Sequence, residues 1–112
     1  RIVEMKSFDA FANKILSENE LGIFHEIKDT KRASFLAKQF AGKEAIAKAF
    51  GTGFKNSIQM NNIEVLRDEA GKPIFNPLNE LAEKMIDLGI TKTHVSLADE
   101  RDYATAFAIL EI

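Results

Sequence analysis

Apolar residues recur at three- and four-residue steps at the start of the chain, where Met5, Phe8, Phe11, Ala12, Ile15 and Leu16 form one stripe. That period buries one face of a helix, so the spacing predicts a first helix over about residues 2–16. Ser17, with Glu20 three residues on, is a capping-box pattern in which each side chain answers an amide left open at a helix start. A short second helix is predicted from there to about His25. From Lys31 to Phe50 only Gly42 interrupts an alanine-rich stretch without proline, and Phe35, Leu36, Phe40 and Ile46 give it an apolar side. This is the longest predicted helix. Gly51 and Gly53 close it, because glycine tolerates the left-handed conformation that ends helices.

Beyond Phe54 the period changes. Residues 63–66 and 73–75 read as two strands joined by the turn at 69–72. Asn76 and Pro77 are good opening positions for a further helix, striped by Leu81, Met85 and Leu88 and ended by Gly89. Residues 93–98 alternate, with Val95 and Leu97 on one face and His94 and Ser96 on the other, as in a half-buried strand. A polar turn at 99–102 leads into residues 103–112, whose nearly continuous apolar run predicts a strand covered on both faces. The predicted fold class is α+β, with helices packed on an antiparallel sheet. Residues 1–112 are expected to form a single domain, without repeat, linker or low-complexity segment.

Composition narrows the functions open to such a fold. With 112 residues, 46% apolar and 29% charged, the chain is long enough to bury a continuous core and too apolar to be disordered. Its net charge of −2 provides no overall field for nucleic acid or an anionic membrane, so any anion site must be local. Cysteine is absent, which excludes disulfides, thiolate metal sites and cysteine nucleophiles and is compatible with a reducing cytoplasm. No apolar run approaches the roughly 20 residues of a membrane span and no signal peptide opens the chain, so a soluble protein is expected, with the cytoplasm as its expected location. The chain opens on Arg1 rather than Met, and a segment upstream is expected to be missing.

Few residues stand out as chemistry. Glu44 and Lys48, four apart on the longest helix, project from one face, with Lys43 about 100° around the axis. They form either a surface ion pair contributing about 0.3–0.5 kcal/mol or a magnesium ligand beside a phosphate-binding lysine. Magnesium takes only one or two carboxylates from protein, so Glu44 can be part of such a site but not all of it. Gly51 and Gly53 lie at the carboxyl end of their helix, where the dipole disfavours an anion, so they are no P-loop. His94 is either a solvated, hydrogen-bonded residue or part of a cleft; His25 reads as structural, and the acidic turn at 99–102 as a solvated hairpin.

Taken together, Phe40-Ala41-Gly42-Lys43-Glu44-Ala45-Ile46-Ala47-Lys48-Ala49-Phe50-Gly51-Thr52-Gly53 resembles the signature helix of the holo-acyl-carrier-protein synthases, the small phosphopantetheinyl transferases. Gly71-Lys72-Pro73 resembles that family's turn after its Ile-Glu-Val strand. The stretch from His94 through Leu97-Ala98-Asp99-Glu100-Arg101 to Ala104 resembles its closing hairpin, and Phe11 to Glu20 its first helix and capped turn. The resemblance implies transfer of 4′-phosphopantetheine from coenzyme A to a serine of apo acyl carrier protein, with release of 3′,5′-ADP. It further implies magnesium on Glu44, coenzyme A phosphates on Lys48, and Gly51, Gly53, Pro73, His94 and Ser96 around the nucleotide. Arg1 and Lys14 would contact the acidic carrier protein, and the enzyme would be a homotrimer with sites at subunit boundaries. The family's second metal carboxylate, an Asp on an amino-terminal strand, is not visible; matching Ile2-Val3-Glu4 to the Ile-Val-Glu after that Asp would place Arg1 at the ligand position and imply a lost site, whereas the preferred register sets Arg1 just after the strand and implies that strand and Asp lie upstream. Gln39 stands where relatives commonly carry a basic residue, with Lys38 beside it. Had the Asp been lost, a non-catalytic module binding coenzyme A or the carrier protein would be the alternative.

Overall fold

Ser17 is the corner of the first two helices. In the computed structural model, which describes residues 2–51, 58–99 and 104–112, α1 (Ile2–Ile15) ends just before it and α2 (Glu18–Glu26) begins after it. Ser17 Oγ accepts from the Glu20 amide at 3.2 Å, and Glu20 Oε1 accepts from the Ser17 amide at 2.8 Å, which is the reciprocal cap expected from the spacing. The same hydroxyl donates to Glu64 Oε2 at 2.6 Å and so ties the helical corner to a strand. Ser17→Ala is expected to cost about 1–2 kcal/mol. In a domain of this size that lowers the thermal midpoint by roughly 5–10 °C, a shift that scanning calorimetry can read.

The longest helix, α3 (Asp29–Ala49), starts two residues before Lys31, with Asp29 in its first turn where the dipole favours an anion. Gly51, at φ 79°, closes it in the left-handed region as expected. A 3₁₀ turn (Met60–Asn62) leads into β1 (Ile63–Arg67), which pairs antiparallel with β2 (Pro73–Pro77) from Ile63 opposite Pro77 to Arg67 opposite Pro73. After α4 (Glu80–Leu88), Gly89 at φ 74° turns the chain into β3 (Lys92–Asp99). β3 pairs antiparallel with β4 (Ala104–Glu111), Lys92 opposite Glu111. The α+β class holds, with the strands arranged as two hairpins rather than one sheet.

Two expectations are corrected. Asn76 and Pro77 do not open α4; they extend β2 opposite Glu64 and Ile63, and Asn76 Nδ2 donates to Glu64 Oε1 at 2.8 Å. That bond to a buried carboxylate and two more rungs of ladder outweigh the local helix-start preference, and the helix waits until after Asn79, which turns at φ 54°. β4 is not covered on both faces: Ala106, Ala108 and Leu110 face inward, while Phe107 and Ile109 are 63% and 43% exposed. Arg1, Gly53 and the acidic residues Glu100 and Asp102 lie outside the described residues.

α3 runs through the middle of the packing. Ile46 and Ala47 meet Ile63, Val65, Phe75 and Val95 on one side, and Leu36 packs with Ala12, Ile15 and Phe24 on the other. A methyl group at Gly42 would sit 3.0 Å from Leu97 Cδ2, so glycine there is what lets α3 approach β3 closely.

Candidate active site

The middle of α3 carries polar side chains on two neighbouring stripes. Gln39 and Lys43, four apart, turn inward, and Glu44 and Lys48, about 100° further round the axis, turn outward. The outward pair lines a groove of about 490 Å³ between α3 and β4. Ala37, Ala41, Ala45 and Ala106 supply most of its remaining wall, and their small side chains leave the floor open to a ligand. Phe40 completes the lining. Lys48 Nζ stands 3.9 Å from Glu44 Oε2, with the carboxylate side chain 37% exposed and the ammonium side chain 79% exposed. A cation in the last turn is favoured by the helix dipole, so the groove presents one positive and one negative group at low cost. Glu44 and Lys48 are thus brought together as their spacing predicts.

His94 and Ser96 are also brought together, but elsewhere. Val95 is buried in the core and Leu97 packs on Gly42, so the alternation of β3 sends His94 and Ser96 out of the other face of the β3–β4 ribbon, away from α3. His94 Nε2 lies 2.8 Å from Glu111 Oε1 on β4. Phe107 and Ile109 share that exposed face. Pro73 opens β2, and Gly51 is exposed just beyond the groove. Lys14 sits in the last turn of α1 beside a second hollow of about 440 Å³, walled by Phe11, Ile15, Phe40 and Met60. Phe40 therefore belongs to both hollows, and its ring meets Phe11 edge-on at 5.3 Å.

Behind the groove is a buried ionic network that spacing did not announce. Lys43 is fully buried, and Nζ donates to Glu20 Oε1 at 2.6 Å, Ile63 O at 2.5 Å and Met60 O at 3.0 Å, which uses all three ammonium hydrogens. Glu20, also fully buried, accepts in addition from the Ser17 amide, from Gln39 Nε2 at 2.7 Å and from the Val65 amide at 2.9 Å. Both of its oxygens are therefore doubly satisfied. Burial pushes the Lys43 ammonium below the ordinary lysine range, against the opposing pull of the Glu20 carboxylate and, more weakly, of Glu64. Gln39 was legible only as a departure from a basic position; it is fully buried. The usable signal was Leu36, Gln39, Lys43 and Ile46, a helical stripe whose apolar ends predict burial of its polar middle.

Sequence and fold together place the chain in a class of small transferases. Residues 2–108 match the model of the 4′-phosphopantetheinyl transferase superfamily. The holo-acyl-carrier-protein synthase of Enterobacter sp. (strain 638) is 49% identical over 109 residues, covering 95% of this chain and 82% of that protein. The crystal structure of holo-acyl-carrier-protein synthase from Neisseria meningitidis superposes with a TM-score of 0.86 at 39% identity, over 92% of this chain and 81% of that one. The synthase of Bacillus anthracis str. Ames, solved in complex with CoA (3′,5′-ADP), gives a TM-score of 0.77 at 33% identity, over 95% of this chain and 84% of that one. The chain belongs to the 4′-phosphopantetheinyl transferase superfamily and, within it, to the holo-acyl-carrier-protein synthases, which transfer phosphopantetheine from coenzyme A to acyl carrier protein.

Proposed function

We propose that residues 1–112 act as one transferase domain in which the α3 groove holds the diphosphate of coenzyme A between Glu44 and Lys48. The observation that carries this reading is the carboxylate and ammonium 3.9 Å apart in an alanine-walled groove. The carrier serine oxygen attacks the phosphorus that bears pantetheine and gives up its hydroxyl proton to solvent, the bond from that phosphorus to the departing oxygen of 3′,5′-ADP breaks, and Lys48 offsets the charge gathering on the leaving group. Among the described residues no cluster of three or more histidine, cysteine or carboxylate side chains could hold a metal. A single carboxylate facing phosphate oxygens nevertheless suits magnesium, which draws the rest of its shell from phosphate, water and at most one more acid. Glu44 would hold that ion, which when bound neutralises the diphosphate and makes its phosphorus more electrophilic. Incubating the protein with coenzyme A, magnesium and apo carrier protein should give the phosphopantetheine mass gain on the carrier; no gain, with coenzyme A bound, would overturn the reading.

The two halves of the expected coenzyme site, Glu44 with Lys48 and His94 with Ser96, lie on different faces of one chain. That separation, together with the exposed Phe107 and Ile109 beside His94, supports a homotrimer in which one subunit's ribbon completes the next subunit's groove. Light scattering at micromolar concentration is expected to give a trimer, and Phe107→Glu a smaller species with weakened coenzyme A binding. A trimer unaffected by Phe107→Glu would remove this face from the interface. Lys14, beside the Phe11–Phe40 hollow, and Arg1 would contact the acidic carrier protein through their positive charge. No helix among the described residues is long and apolar enough to cross a membrane.

A further inference from the structure

The buried network does more than fill space, because of where it grips the helix. Gln39 and Lys43 flank one turn of α3, and each reaches Glu20 and a backbone carbonyl of β1, Val65 for Gln39 and Ile63 for Lys43. Glu20 is held in turn by the Val65 amide and by the cap at Ser17. One carboxylate therefore joins α2, α3 and β1 with every donor and acceptor matched. Apolar packing, including the close approach of Gly42 to Leu97, limits how far α3 can move, and these directional bonds add a single rotation and height at which all of them are made. Glu44 is the next residue after Lys43, about 100° around the same turn, so the register that satisfies Lys43 also sets the direction of Glu44 into the groove.

We propose that Glu20, Gln39 and Lys43 are positioning residues for Glu44, acting through the rotation and height of α3. A buried ion pair is weak evidence for stability as such, since apolar replacements of similar volume are often as stable; holding a unique register is a better-attested use. A displacement of about 1 Å at a reacting group can cost on the order of 100-fold in rate. None of the three side chains faces the groove, so none is a catalytic residue.

The test, resting on the assignment of Glu44 made above, separates folding from positioning. The double variant Glu20→Gln/Lys43→Met removes both charges together and keeps the volumes close. Rates are measured at saturating coenzyme A and magnesium and divided by the concentration of folded, coenzyme A-binding protein. The expected result is a kcat at least about 10-fold lower, with KM for coenzyme A and for carrier protein within about threefold. A folded double variant with wild-type kcat would overturn the proposal, because a merely structural role lowers only the folded fraction. Should the double variant fail to fold, Gln39→Met decides, since it leaves the Glu20–Lys43 pair in place: a fall of about three- to tenfold in kcat per folded molecule is expected, and no fall overturns it. Failure of the Glu44 assignment looks different, as full transfer by Glu44→Gln in an otherwise intact protein.

Discussion

Glu44→Gln is expected to keep the fold and lose transfer by about 100- to 1,000-fold, as when an oriented electrostatic group is removed from a reacting site. Glutamine has nearly the same shape and still accepts a hydrogen bond, but it brings no charge to a metal or a diphosphate. The fold should be indifferent to the change. Glu44 is the partly exposed member of a 3.9 Å pair with a largely exposed lysine, an arrangement that contributes at most a few tenths of a kcal/mol. A loss of 100-fold corresponds to about 2.7 kcal/mol at the transition state. That far exceeds any stability change, so a drop in activity cannot be charged to unfolding. The measurement is the rate of phosphopantetheine gain on apo carrier protein by mass spectrometry, with magnesium varied. Undiminished magnesium-dependent transfer would show that the carboxylate of the groove is a surface ion-pair partner only.

How far the molecule was legible in its sequence follows from which interactions are local. The Ser17–Glu20 cap, the end of α3 at Gly51 and the inward alternation of Val95 and Leu97 are each decided within a few residues, and each stands as its spacing predicts. The start of α4 was misread because the partner that holds Asn76 in a strand is Glu64, which no local pattern brings near it. β4 reads as an apolar run, but whether its outer face is covered depends on what lies against it, and a strand's own residues do not record that. The groove divides the same way. Glu44 and Lys48 are an i,i+4 pair and so come together by helix geometry alone. The buried side of the same helix was invisible as chemistry because Lys43 becomes an internal cation only when Glu20, 23 residues earlier in the chain, folds beneath it.

Breaking that internal pair on one side is the change expected to cost most. Glu20→Ala leaves the Lys43 ammonium fully buried with its carboxylate gone, leaves the Val65 amide and Gln39 Nε2 each short of an acceptor, and removes half of the α2 cap. Stranding one member of a buried pair typically costs about 3–5 kcal/mol, a large share of the 5–15 kcal/mol that holds a domain together. Charge sets how that loss depends on pH. Desolvation already lowers Lys43 from the ordinary 10.5, with Glu20 opposing the shift. Between the lowered value and 10.5 the unfolded chain holds more protons at this residue than the folded one, so this group's contribution to stability rises with pH across that window and is flat below it. Removing Glu20 withdraws the opposing attraction, moves the folded value lower still and widens the window toward neutrality. Urea denaturation near neutral pH and again near pH 10 should therefore show the deficit of Glu20→Ala shrinking as the solution becomes alkaline. The double variant Glu20→Gln/Lys43→Met, with no charge to strand, should show a smaller deficit and no such slope. A deficit for Glu20→Ala that is constant across that range would mean that Lys43 keeps its proton by other means, and that the carboxylate beneath α3 matters for its hydrogen bonds alone.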